Sequence, residues 1–346
     1  MKKFGSQSLL VACIIGSVAS AGAATQSSAI NATGRAEAIS SWEATIHQQA
    51  PSMEGCFRST FPNNGWQATR CAAPPKLVSV PPAINNGNGR TARSAGAFTV
   101  GNGTDYAART GRSTRSAVGS FPSVSGVTTG VADYSLQINT DTASNPTTCS
   151  QFGYSTCQTW EQFIYSTDDD GDASNGRTPI AFIQDWFFAG STSQYNSVGC
   201  PSGWNAYPDQ NACYRNSDAV SAPLVAVKNI GGIKLTGSAT AGGVDTVSFS
   251  VNGQAYSVNQ PASTLNINKI WRQSEFNIFG NGSNNPVVSF NRGSSVTVNV
   301  AVNDGTTNAP TCLGNAGTTF EQNNLTLGSC TASGGSSPRI SFTQSN

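Results

Sequence analysis

The chain has 346 residues, 37% of them hydrophobic, which is enough for a core, but only 11% charged, against roughly 25% in an ordinary domain. Gly, Ser, Thr and Asn fill the space between short apolar runs, a composition that suits strands and turns and excludes an architecture of long amphipathic helices. The formal net charge of +1 falls to about −1 without the two N-terminal lysines, so nothing electrostatic calls for a nucleic-acid partner.

Residues 1–24 read as an export signal. Lys2 and Lys3 form its charged end, Leu9 to Val18 its apolar run, and Ala21-Gly22-Ala23 the small-residue cleavage site. A competing pattern, Leu10-Val11-Ala12-Cys13, has the form of a lipoprotein box and would leave a lipid anchor on Cys13. The cysteine lies inside the apolar run rather than at its end, which favours simple export. No other segment reaches the roughly 18 apolar residues of a membrane helix. The expectation is a secreted or periplasmic monomer with no membrane contact after cleavage.

Residues 25–50 are the one helix-compatible stretch, with Ala36, Ile39, Trp42 and Ile46 at spacings of three and four. A Cys-bracketed loop (56–71), a Pro-rich piece (73–83) and a Gly, Asn and Arg-rich stretch (85–115) follow. Five of the thirteen arginines fall between Arg90 and Arg115, which fits an exposed linker or a processing region between a pro-segment and a mature domain. Residues 25–115 therefore form one unit and 116–346 the β domain.

Without Cys13, eight cysteines remain, an even number that in an exported chain argues for disulfides. Sequence neighbours bracket short polar loops, so the expected pairs are Cys56 with Cys71, Cys149 with Cys157, Cys200 with Cys213, and Cys312 with Cys330. No couple has zinc-ligand spacing and His47 is the single histidine, so no zinc and no other cofactor is expected.

From about residue 117, short β-type runs recur between Gly, Asn, Asp, Ser and Pro clusters. They are Val131–Ile138, Thr159–Ser166, Ile180–Phe188, Leu224–Val227, Ile233–Ala239, Asp245–Val251, Gln254–Val258, Leu265–Trp271, Glu275–Gly280, Pro286–Phe290, Ser295–Val302 and Arg339–Thr343. Asn252-Gly253 has the form of a two-residue hairpin turn. Many strands with almost no helix between them exclude a parallel α/β sheet and predict an all-β, antiparallel double-sheet sandwich stapled by disulfides, with a short N-terminal helical and loop segment.

Standard nucleophile machinery is absent, because the lone His47 lies in the predicted helix and no HExxH, phosphate loop or dinucleotide fingerprint occurs. Asp168, Asp170 and Asp172 alternate like the first ligands of a calcium loop, but Gly at the sixth position and Glu at the twelfth are missing. A solvated acidic turn is the plainer alternative. Among the six glutamates, Glu37, Glu43 and Glu54 precede the β domain and Glu321 falls in a polar loop; only Glu161 and Glu275 sit at predicted strands among aromatics. A carboxyl in apolar surroundings has a raised pKa, as a general acid or base requires.

Strand alternation places Trp160, Gln162 and Ile164 on one face and Glu161, Phe163 and Tyr165 on the other. Phe182, Gln184, Trp186 and Phe188 form an aromatic and amide face, opposite Asp185. Trp160, Glu161, Phe182, Gln184, Trp186, Gln273 and Asn277 are the candidate cleft lining. The alternative is an ordinary sandwich with Glu161 and Asp185 outward and wet.

The stretches CQTWEQFIYS, AFIQDWFF, CPSGWNAYPDQNACYRNS, SEFNIFG and TFEQNNLTLGSC resemble a family of exported microbial β proteins of undetermined role. More distantly, the strand order resembles the glutamic peptidases, the eqolisin and neprosin group. That resemblance implies a concanavalin-like or glutamic-peptidase-like sandwich that uses a Glu with a Gln, or two Glu, on a concave sheet face to activate water at acid pH. Gln162 matches the amide position and Glu275 the late glutamate, the general base. Residues 25 to about 115 become a covering pro-segment. The rival expectations are a carbohydrate- or surface-binding sandwich, whose aromatic face stacks on sugars, and a glycosidase using Glu161 and Glu275, or Asp185, as its acid and base. The partner is then a polypeptide or a polysaccharide.

Overall fold

The computed structural model describes residues 23–81, 99–172, 174, 176–282 and 284–346, with side chains from residue 33 onward. The expected export signal up to residue 22, with Cys13 inside it, and connector residues 82–98 lie outside the described residues. Two antiparallel sheets of eleven and ten strands form the body of the described residues, and among those residues a single short parallel pairing, Val287–Val288 on Gln322–Ser333, departs from that pattern.

The ten-stranded sheet, which carries the candidate site, runs Asn205–Tyr207, Ala212–Asn216, Ile180–Ala189, Cys157–Ser166, Ser135–Asn139, Gln273–Phe279, Ala107–Arg109, Thr311–Leu313 in spatial order, with two short strands off this path, Val220–Ser221 on Ile180–Ala189 and Ala143–Ser144 on Cys157–Ser166. The centre of the opposing sheet runs Arg339–Ser345, Ser295–Asn303, Ser116–Ser125, Ile233–Ala239, Val244–Val251, Gln254–Pro261, Gly55–Thr60. Large rings fill the space between them. Tyr165 stacks on Phe249 with centroids 4.1 Å apart, and Phe276 lies 5.1 Å from Phe121. These rings press so closely on the facing backbone that two mid-strand glycines are obligatory: a Cβ on Gly119 would lie 2.1 Å from the Phe276 ring, and one on Gly237 2.2 Å from Phe163.

The expected sandwich and all four expected disulfides are present. The Asn252-Gly253 turn has positive φ at both residues, 53° and 74°, and joins strands in which Val251 pairs with Gln254. Two predicted strands are not strands. Leu224–Val227 runs into a 3₁₀ turn at Val227–Gly232, and Leu265–Trp271 follows one such turn, Ala262–Thr264, and holds another, Ile267–Lys269. Leu265, Ile267 and Trp271 are buried core side chains reached from those turns, and a short apolar run reads alike in either setting.

Strands begin well ahead of residue 116. Gly55–Thr60 pairs with Gln254–Pro261, and Ala107–Arg109 joins the ten-stranded sheet. The segment before residue 116 also supplies covers for the two outer faces. Helix Ala23–Gln48 lies on the eleven-stranded sheet, with Trp42 and Ile46 against Ala255, and Glu43 paired with Lys234 at 3.2 Å. His47 is buried between Thr236 Oγ1 and Ser250 Oγ, at 2.9 and 2.8 Å. Residues 72–81, a strap with no strand or helix beyond a bridge from Ala72 to Ala219, cross the outer face of the other sheet. Among the described residues no helix is long and apolar enough to cross a membrane.

Candidate active site

The site is a row of polar side chains laid down by strand register. Gln184 pairs with Gln162, Gln162 with Asn139, and Asn139 with Glu275, so the four share the outer face of the ten-stranded sheet. One register step away Gln137 pairs with Asn277 on the same face. Gln162 Nε2 donates to Gln137 Oε1 and Asn139 Oδ1, at 3.1 and 3.2 Å. Asn139 Nδ2 in turn donates to Gln137 Oε1 and to Glu275 Oε2, at 3.1 and 3.3 Å. Gln162 and Glu275 are thus brought onto one face and joined through Asn139, while Gln162 Oε1 has no hydrogen-bond partner.

Glu275 Oε2 also accepts the Thr318 backbone N–H at 2.7 Å and its hydroxyl at 2.6 Å. Three donors therefore converge on one carboxylate oxygen. Glu321 stands beside it, hydrogen-bonded by the Thr319 hydroxyl and flanked by the Ser79 and Gln137 side chains. Burial pushes the Glu321 carboxyl up to about 8, and the neighbouring Glu275 charge adds to the rise. Asp105 forms the third corner. Its carboxylate accepts Asn277 Nδ2 at 3.0 Å and the Tyr106 N–H at 2.7 Å, and burial followed by the Glu275 charge holds its pKa well above the usual range. All three carboxyls have no solvent exposure.

Sequence pattern singled out Glu275 but not Glu321 or Asp105. Glu321 does lie in a loop, as the last residue before the Gln322–Ser333 strand, but its side chain is fully buried there. Its one legible signal was scarcity, since it is one of six glutamates. Asp105 lies in the connector and carried no signal.

The other predicted residues separate by face. Trp160, Phe182, Gln184 and Trp186 line the outer face, under the strap. Asn277 also exchanges amide hydrogen bonds with Gln344, and Gln273 donates to the Ala316 carbonyl at 2.8 Å. Glu161 does not belong to the cleft. It pairs with Asp185 on the opposite face and meets Asp245 of the other sheet, so Glu161 and Asp185 are buried between the sheets rather than outward and wet. Neither can flank one bond together with Glu275. Burial, then the Asp245 and Asp185 charges, raise Glu161 well above the carboxylate range.

The acidic turn gathers Asp168, Asp169 and Asp170, whose ligand atoms lie within 4.8 Å of one another, rather than the alternating set with Asp172. Asp172 is exposed and caps its own turn by accepting the Ser174 N–H. No protein-family model matches the chain, and no characterised protein matches it significantly.

The strap lies directly over the row. Gln184 clamps its backbone from both sides, Oε1 accepting the Ser79 N–H and Nε2 donating to the Leu77 carbonyl, each at 3.0 Å. Asn216 Nδ2 donates to the Pro75 and Leu77 carbonyls, at 2.8 and 2.9 Å. Beyond Pro74, Pro75 and Lys76 an open cleft of about 730 Å³ continues past Tyr214, Arg215 and Asn216.

Proposed function

We propose that the protein is an exported hydrolase, a glutamic-type endopeptidase acting in the acid range, in the manner of the two-glutamate members of the group it resembles. The observation that carries this is the gathering of Glu275 and Glu321, held by the adjacent residues Thr318 and Thr319, at an amide-rich sheet face crossed by an extended polypeptide that the Gln184 side chain grips by its backbone. Glu275, with three donors on one oxygen, is the carboxylate that takes a proton from water. Gln162 Oε1, which has no protein partner, accepts a hydrogen bond from that water. The hydroxide adds to the peptide carbonyl carbon, and the oxyanion formed is stabilised by protonated Glu321. Glu275 then passes its proton to the amide nitrogen as the C–N bond breaks. Four disulfides fit the oxidising compartment that an export signal would deliver the chain to.

Casein digestion at pH 3 to 5, with and without limited trypsin treatment, tests the reading. Glu275→Gln and Glu321→Gln each lose activity by about 100-fold or more while keeping the wild-type circular dichroism spectrum. Equal activity in the variants, or none in trypsin-treated wild type, overturns proteolysis and leaves a carbohydrate-binding face in front.

A further inference from the structure

We infer that the strap is a built-in occupant of the substrate cleft, and that the cleft takes an extended polypeptide with aliphatic side chains three residues apart, as Leu77 and Val80 are, on either side of a small polar residue. The inference rests on the hydrolase reading and adds its substrate class. Leu77 sinks among Ile164, Ile180, Phe182 and Ala219. Val80 lies on Trp160, Trp186 and Phe188. Between them Ser79 stands at the carboxyl pair, its hydroxyl accepting from Gln137 Nε2 at 3.3 Å.

Three features separate this segment from a structural strand. The Pro75, Leu77 and Pro81 carbonyls and the Ser79 N–H are met by the Asn216, Gln184 and Gln210 side chains, and the segment's other backbone bonds go to Asp169, Ala219 and Phe320, outside any named strand. Amide side chains grip N–H and C=O groups whatever the residue, as a peptide-binding cleft must, while the two apolar depressions supply the selectivity. The strap also keeps solvent from large rings: Trp160, Phe182 and Trp186 are fully buried on a face that has no second sheet over it. Without an occupant this face would be an exposed apolar patch lined by precise hydrogen-bonding groups, the usual character of a ligand site. Finally, Pro74, Pro75 and Pro81 fix φ and hold the segment extended, which lowers the entropy lost on docking.

The test is competition in trans. A fluorescent peptide of residues 74–81 is titrated at pH 4 into full-length wild type and into the Leu77→Asp/Val80→Asp variant, in which the strap's own anchors are charged. The variant binds at least tenfold more tightly than wild type, and a peptide with Asp at both aliphatic positions binds neither. Acrylamide quenching of tryptophan rises in the variant and is reversed by the peptide. Gln184→Ala provides an uncharged second variant, expected to bind the peptide less well than Leu77→Asp/Val80→Asp because the clamp is missing on both sides. A folded Leu77→Asp/Val80→Asp chain with unchanged quenching and no gain in binding overturns the inference, and so does unfolding of both variants, which would make the strap part of the core. Peptide binding without hydrolysis of any substrate sinks the peptidase reading alone. Casein hydrolysis without selective peptide binding sinks this inference alone.

Discussion

The carboxyl cluster between the sheets makes the sandwich an acid-stabilised fold. Glu161, Asp185 and Asp245 meet with no solvent exposure; Gln260 Nε2 donates to Asp185 at 2.9 Å, and the Arg215 charge acts on Asp185 from the flanking strand. Burial pushes Asp185 up to about 6, and raises Glu161 and Asp245 well above the carboxylate range. Folded values above unfolded ones mean that folding takes up protons. The contribution is therefore complete below the unfolded carboxylate range, near pH 4, and is lost as pH rises through the folded values. For Asp185 alone, the rise from 3.8 to about 6 corresponds to about 3 kcal/mol, a large part of a typical domain's 5–15 kcal/mol. Urea denaturation from pH 4 to pH 7 should show wild type losing stability with rising pH. Asp185→Asn keeps the side-chain volume and removes that titration, so the wild-type-minus-variant difference should change by roughly 3 kcal/mol across this range. A wild-type profile that parallels the variant's would refute the reasoning, because the buried cluster would then not be exchanging protons on unfolding.

His47 works in the opposite direction. Burial, then the Lys234 charge, pushes it down to about 3, so its contribution is present above its ordinary 6.5 and is lost as pH falls toward 3, an effect of about 5 kcal/mol. Hydrogen exchange in residues 33–48 should accelerate between pH 7 and pH 4 relative to the sheets, and His47→Gln should abolish that difference; equal acceleration in the variant would rule the histidine out. Gly119→Ala places a Cβ against the Phe276 ring and should lower stability by about 1–3 kcal/mol or more. Adding Phe276→Leu should recover part of the loss in a double-mutant cycle, and strictly additive losses would contradict the contact.

Much of the fold was legible because its signals are local. Period-two alternation marked Ile233–Ala239 and the strands flanking Asn252-Gly253, and short polar loops between neighbouring cysteines gave the four disulfides. Alternation also divided Glu161 correctly from Gln162, but it could not say which face was covered. A strand's two faces look alike until its partners are known, and here both are buried, one by the second sheet and the other by the strap. The site depended on that long-range choice. Glu275 acquires its surroundings from Asn139 on the neighbouring strand and from Thr318 and Glu321 in one loop ahead of Gln322–Ser333, two segments far from it in sequence. The sequence by itself determined the strand-rich class, the scarcity of charge and hence the short inventory of carboxyls. Only tertiary structure decided which of them meet, because register between distant strands, and the low dielectric it encloses, assign a carboxyl its neighbours and its proton.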